Sequence, residues 1–457
     1  MSGSFTNDLS SVVPDAVIIE KMELRNHKDI IKDIKDQVSS LVIQESLYLP
    51  ALICEFTIID KVNLFEDHQF IGQEKIDIEI HKKPIGSDDT QIFTFTFFIT
   101  EFPAYQKNLD KDQQSYMLRG TTPFAYLSKF KKISRSYREA TGLEVRRLTN
   151  VDLEHEDGFV VNGIESSEFR GVFTIQEPLS AIEFMRKNTY DENGAPFFFY
   201  QTFDKQVNFS SLSYLLGDTN KSFNTYRNQK SFNNTPQTVE DYKQRAKNLL
   251  DISSTLNLSK LFQAIEGAYA SRNMMLDYST KTFTEKIYNY AALDTTNTLG
   301  TGPHGSKVLS PYRSLGSDFN TLNNLPDAHQ EFLSLNSGAY PTLKNYTQSL
   351  SDNIEKLNAY HSLFSTFSHE IELMGDFYLN AGKKITIELP KSIDEEIYKK
   401  WKGGDVNNLT HTDEHMSGDY VIVSAIHKFE RRDRDFSHMV SLEINKDSFN
   451  IDLGARL

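Results

Sequence analysis

The chain has 457 residues, more than one compact core accommodates, so about three domains are expected. Lys plus Arg is 49 against 63 Asp plus Glu, a net charge of −14 that excludes a generally nucleic-acid-binding or anionic-membrane surface. One cysteine, Cys54, sits in the apolar run Leu52 to Ile59, which excludes a disulfide framework and fits a buried, inert thiol made in a reducing cytoplasm.

No apolar run reaches the length of a membrane span, and the N-terminus MSGSFTNDLSS lacks the basic-then-apolar order of a secretory signal. Strands are expected at 16–24, 38–45 and 51–59. An apolar tip at Leu64, Phe65 and Phe70 is closed by Gly72. QEKIDIEIHKK and QIFTFTFFITEF then alternate apolar and polar residues, the period of half-buried strands. Phe93, Phe95 and Phe97 share one face, and burying each ring is worth roughly 1.5–3 kcal/mol, enough to fix the register. Residues 1 to about 104 read as an all-β barrel or sandwich.

Thr122-Pro123 opens a helix that Gly142 ends, with Lys129, Lys131, Lys132, Arg135 and Arg138 on a solvated face. A second helix follows Pro178. A hairpin, FFFYQTF and VNFSS turned at Asp204-Lys205-Gln206, closes an α+β segment near residue 215. Gly217 to Pro236 reads as linker. Short helices at 238–250 and 258–265 lead to strands at 267–277 and 281–290. Residues 291–345, rich in Gly, Ser, Asn, Thr and Pro, read as a protruding or partner-ordered loop. An amphipathic helix is expected at 348–367.

Residues 371–445 form the last alternating group: IELMGDFYLNAGKKITIELP, an insertion at 391–416, then SGDYVIVSAIHKFERRDRDFSHMVSLEIN. Ile385, Ile387 and Ile422 fall on the apolar side. The order repeats that of residues 50–120. Gly72 precedes Ile76, Ile78 and Ile80 as Gly382 precedes Ile385, Ile387 and Leu389. A second strand ends Ile99–Phe102 in one copy and Ile426–Phe429 in the other, and SYMLRGTT answers HMVSLEIN.

Chemical motifs are sparse. His411-Thr-Asp-Glu414-His415 has the H-x-x-E-H spacing of a zinc site, but that spacing works only on a helix and the flanks here are turn formers, so the residues read as a polar loop. His427 reads as a satisfied histidine beside the core. Carboxylates such as Asp376 and Glu388 carry no signal without geometry. No nucleophile elbow, phosphate-binding loop or dinucleotide fingerprint occurs, so no catalytic, cofactor or metal residue is assigned.

The order GDFYLNAGKKITIELP, a loop, SGDYVIVSAIHKF and a final strand resembles the C-terminal part of baseplate hub proteins of contractile-tailed phages, a family related to late-control tail proteins and to the N-terminal part of type VI secretion spike proteins. Residues 122–215 resemble the family's middle segment. The resemblance implies an α+β, β-rich chain in which two tube-like antiparallel β-barrel domains, 1–104 and 217–457, flank a middle domain at 105–216. It also implies a homotrimeric pseudo-sixfold ring in the virion tail baseplate, assembled in the host cytoplasm. Its expected partners are the tail-tube protein above, a trimeric spike below and other baseplate proteins. DNA would pass only in transit, along a lumen lined by acidic side chains, for which Asp77, Glu79 and Glu388 are the candidates. The alternative is a tail-associated peptidoglycan or zinc-dependent peptide hydrolase. A carbohydrate-binding sandwich is a third reading.

Overall fold

The computed structural model describes residues 16–83, 90–108, 113–165, 169–217, 219–227, 239–256, 259–289, 325–335, 346–390, 413, 416–432 and 435–447. The first hundred residues follow their alternation. Strands β1 (Ala16–Arg25), β2 (Ile31–Asp33), β3 (Val38–Ser46) and β4 (Ile53–Asp60) precede the short helix α1 (Leu64–Asp67). Then come β5 (Lys75–Lys82), β6 (Gln91–Asn108) and β7 (Gln113–Thr121). Every second residue of β4, β5 and β7 is buried, as a sheet with one face on a core requires. Gly72 adopts φ +84° at the entry to β5, a conformation that glycine reaches without a Cβ penalty.

The middle segment contains α2 (Pro123–Phe130), β8 (Ile133–Tyr137), α3 (Thr141–Arg147), β9 (Phe159–Asn162), β10 (Gly171–Gln176), α4 (Pro178–Lys187), β11 (Phe197–Gln201), β12 (Val207–Ser211) and α5 (Leu212–Leu216). Its core includes Phe124, Leu148, Phe169, Ile182, Phe197 and Phe209. The single helix expected from Pro123 to Gly142 is instead helix, strand, helix. Ile133 and Tyr137 are both buried, and a spacing of four suits a strand's period of two as well as a helical turn. The backbone of β8 is paired with β10, which decides for the strand. The expected hairpin is present: β11 pairs β12 from Phe197↔Ser211 to Gln201↔Val207.

The second half runs β13 (Ser222–Arg227), α6 (Val239–Ala246), β14 (Asp251–Leu256), α7 (Lys260–Ile265), β15 (Ala270–Asp277), β16 (Thr282–Asn289), β17 (Gln330–Leu335), α8 (Tyr346–Phe364), β18 (Phe367–Met374), β19 (Lys384–Glu388), β20 (Gly418–Arg432) and β21 (Asp435–Lys446). Two segments without a strand signal are ordered by distant partners. Ser222–Arg227, inside the expected linker, pairs in parallel with β19, and Gln330–Leu335, inside the expected 291–345 loop, pairs in parallel with β15. The rest of that loop, apart from residues 325–329, and all of the 391–416 insertion but Asp413 and Met416 lie outside the described residues.

The recurrence between the two halves extends to strand order. In the first half the order is β3-β4-β7-β6-β5-β1 and in the second it is β14-β18-β21-β20-β19-β13. Each contains three antiparallel strands in succession, with an earlier strand lying beside the last of them. The units differ at one edge, where β1 is antiparallel to β5 but β13 is parallel to β19.

Both units belong to one 13-stranded sheet, because the β20–β21 hairpin is shared. Ser424–Glu430 of β20 pairs with Ser40–Ser46 of β3, and Phe436 and Ser437 of β21 pair with β1. The path β20-β3-β4-β7-β6-β5-β1-β21 therefore returns to β20. Two apolar interiors result. One gathers Ile76, Ile78, Ile80, Phe95 and Phe97, the other Ile385, Ile387, Tyr420, Ile422 and Leu442.

Candidate functional site

The six residues expected in the cores are distributed over these two interiors. Phe95 (3 % exposed), Phe97, Ile385, Ile387 and Ile422 are buried, while Phe93 is half-buried. Phe93 sits over Ile80 in register and packs on Phe203 and Phe377, at 5.4 and 4.7 Å between centroids, so it covers the end of the first interior.

Asp77 and Glu79 alternate with the isoleucines and occupy the opposite face of β5. They are engaged there. Asp77 accepts a hydrogen bond from the Thr96 hydroxyl (2.6 Å) and faces Lys75 at 3.4 Å, and Glu79 contacts His81 Nε2 at 2.6 Å. Glu388, on the second unit, pairs with Arg227 at 2.6 Å. Along the same sheet Lys21 meets Glu23, Arg119 meets Glu55 and Glu101, and Lys428 meets Glu372. The outward face is thus a mixed-charge surface whose carboxylates are interleaved with cations.

At the seam between the units lies His427, read above as a histidine beside the core, together with His438, Lys82 and Glu45, which sequence reasoning passed over. His427 Nδ1 and His438 Nε2 are 3.0 Å apart, and both rings are fully buried. Phe203 lies 4.2 Å from the His427 ring, and Phe377 and Phe429 stack on His438 at 4.6 and 4.5 Å. The Lys82 ammonium donates to the Gly375 carbonyl and lies 5.3 Å from the Phe377 ring. Burial, with Lys82 as a second cause, pushes His427 down to about 3 and holds His438 well below its usual value. Both imidazoles are therefore neutral at pH 7, with one N–H···N bond between them.

Nearby, the Glu45 carboxylate accepts from the Ala381 amide at 2.6 Å. Burial raises this group to about 8, so it is largely protonated at neutral pH. Lys446 donates to the Ser417 carbonyl at 3.0 Å between the Phe367 and Tyr420 rings, and burial lowers it to about 8. A signal for these groups exists in the sequence. Glu45 continues the inward parity of Leu41 and Ile43, Lys82 that of Ile76, Ile78 and Ile80, and Lys446 that of Val440, Leu442 and Ile444. Each buried polar group here fixes a strand end against a named carbonyl or amide, a positional role.

Catalytic machinery does not emerge from this geometry. Among the described residues no group of three or more His, Cys, Asp or Glu side chains could hold a metal ion, and His411 and His415 lie outside those residues. Cys54 is fully buried in β4, and burial pushes its thiol upward, away from the reactive thiolate. A cleft of ≈ 210 Å³ near the seam is lined by Lys82, Gln91, Tyr226, Lys243, Asp376 and Tyr378, among others. Its lining includes no serine, threonine, cysteine or histidine. Among the described residues no helix is long and apolar enough to cross a membrane.

No protein-family model and no curated protein sequence matches the chain. Solved structures do. A tail protein from Neisseria meningitidis MC58 superposes with a TM-score of 0.51 at 11 % identity, over 93 % of this chain and 96 % of that one. The 43 kDa tail protein of prophage MuSo2 from Shewanella oneidensis gives 0.47 at 8 % identity, over 95 % and 100 %. An Escherichia coli component of the type VI secretion system gives 0.41 at 10 % identity, over 94 % and 77 %. The resemblance to tail proteins suggested by the residues 375–429 thus extends to the fold, and nearly the full length of this chain shares the architecture of the Neisseria tail protein.

Proposed function

We propose that the chain is the structural hub of a phage tail baseplate and catalyses no reaction. In this reading each six-strand unit acts as a tube-like barrel domain, and three chains form a ring in which six such units are related by pseudo-sixfold symmetry. A ring of that kind presents six similar faces to the subunits of a tail tube and three identical ones to a trimeric spike. It sits in the virion, after assembly in the host cytoplasm, in contact with the tube protein, the spike and other baseplate proteins. DNA crosses its channel without being held, and Asp77, Glu79 and Glu388 face that channel.

The repeated strand order carries this reading: β3-β4-β7-β6-β5-β1 recurs as β14-β18-β21-β20-β19-β13 within one chain. The shared architecture with a tail protein over 93 % of the chain supports it. The reading is tested by mass measurement of the purified chain, alone and with its spike, together with a zinc assay and a peptidoglycan-release assay. A trimeric mass with neither metal nor wall-degrading activity is expected. A chain that stays single in both conditions, or one that releases peptidoglycan fragments, overturns it.

A further inference from the structure

Helix α7 is inside out for a helix at a water-facing surface. Leu261, Phe262 and Ile265 are 67 %, 62 % and 50 % exposed, whereas Gln263 is fully buried and Ala264 nearly so. Gln263 accepts from the Tyr269 hydroxyl at 2.5 Å and donates to the Thr366 hydroxyl at 3.4 Å. A water-facing helix shows the reverse, with apolar residues turned to the core and polar ones outward.

The small sheet β16-β15-β17 beside it has the same character. Its register places Arg272 between Ile287 and Gln330, Met274 between Glu285 and Phe332, and Leu276 between Phe283 and Ser334. Residues directly opposite one another share a face. The other face of this sheet is covered, since Tyr288 packs with Ala359, Tyr360 and Phe364 of α8. On the open face Phe283, Ile287 and Phe332 are 59 %, 61 % and 56 % exposed. The helix adjoins the sheet through His329 Nδ1, which lies 2.8 Å from the Ile265 carbonyl oxygen just before β17 begins.

The Arg272 cation within this surface is already engaged. The Arg272 guanidinium donates to Asp327 at 2.7 Å and to Glu285, two carboxylates against one cation, so this cluster offers no net positive charge to attract a polyanion or a lipid headgroup. With ~200 Å² for each large side chain, the six exposed residues leave on the order of 700 Å² of apolar surface to water. That sum approaches the ~800 Å² that each partner contributes to a stable protein interface.

We infer that the open face of the β16-β15-β17 sheet, with the outward side of α7, is covered by a second copy of this chain. The inference rests on the ring reading above, in which each subunit turns one face to a different face of its neighbour, and it assigns one side of that contact to specific residues. Burial of the apolar residues drives the association, and Arg272 enters the interface with its partners in place, which spares it the cost of an unpaired buried charge.

Sedimentation velocity of the full chain tests it, with the double variant Phe283→Glu, Phe332→Glu and the single variant Ile287→Lys compared with wild type. All three side chains are more than half exposed, so unchanged thermal melting serves as the folding control. The expected result is an assembled wild type and variants that sediment as single chains. Variants that assemble as wild type does overturn the assignment and leave the ring reading standing. Variants that assemble but no longer co-sediment with the spike or tube protein overturn it in favour of a different occupant. A wild-type chain that is single at every concentration, alone and with its spike, removes both.

Discussion

Gly72 and Gly382 occupy corresponding places before the middle meander of their units and have almost the same φ, +84° and +83°. Their surroundings differ. A Cβ at Gly72 would meet nothing within 4 Å, whereas one at Gly382 would lie 2.2 Å from the Tyr200 hydroxyl. The turn geometry is the same in both units, but only the turn before β19 is pressed against the middle segment at the glycine itself. Asn220 donates to the Gly382 carbonyl, and Lys384 donates to the carbonyls of Leu216 and Gly217. The interiors are unequal too. The first includes Phe377, Phe429 and Phe436 from the C-terminal half, whereas the second draws only on residues from Tyr226 onward. Two units of one strand order are therefore not interchangeable, because the first cannot complete its core without the hairpin of the second.

The largest expected effect breaks that dependence. Phe429 is fully buried and stacks on His438 at 4.5 Å. Phe429→Ala should cost about 3–5 kcal/mol through lost burial and the cavity left behind. Although the substitution lies on β20, hydrogen exchange should show β3, β4 and β7 of the first unit loosening. If protection falls only in β18 and β19, the borrowed-core account is wrong.

The glycine pair sharpens the comparison at the next level. Gly72→Ala should cost about 1 kcal/mol, the penalty of a Cβ in the left-handed region. Gly382→Ala should cost more, because the same penalty is joined by the collision with Tyr200. Adding Tyr200→Phe to Gly382→Ala should recover part of the difference, and a double-mutant cycle in urea measures the coupling. Equal costs at the two glycines would contradict the close packing of the Gly382 turn on Tyr200.

The seam makes stability depend on pH from both sides. His427 falls from its usual 6.5 to about 3 on folding, so its contribution is present above pH 6.5 and is lost as pH falls toward 3. His438 is shifted in the same direction by the same burial. Glu45 rises from 4.5 to about 8, so its contribution is present below pH 4.5 and is lost as pH rises through 8. Melting temperature against pH should therefore lose part of its acid limb in His427→Phe and part of its alkaline limb in Glu45→Gln. Parallel curves for wild type and both variants would show that these groups do not titrate with unfolding.

The alternation of Ile76, Ile78 and Ile80 and of Ile385 and Ile387 was enough to place strands and to suggest a repeat, because a period of two is local. The merger of the two units was not legible. The Ser424 hydroxyl donates to the Glu45 carbonyl 379 positions away, and no local pattern encodes a pairing at that distance. Gln330–Leu335 escaped for a related reason, since its strand is fixed by β15 rather than by its own composition. Ile133 and Tyr137 satisfied two periods at once, and the pairing of β8 with β10 settled which one applied. Of the candidate surface, the parity of Asp77 and Glu79 was readable, and with it that of Lys75 and His81 on the same strand, but the cross-strand hydrogen bond from Thr96 was not. The exposed apolar side of α7 was hidden altogether, because exposure depends on which side of a helix the rest of the chain covers.

Electron microscopy of the purified chain, alone and bound to its spike, tests the hub most directly. The account predicts class averages of a closed ring with a central opening and six lobes of similar density, three pairs related by threefold symmetry. Isolated single chains in both samples, or a closed particle without an opening, would contradict it.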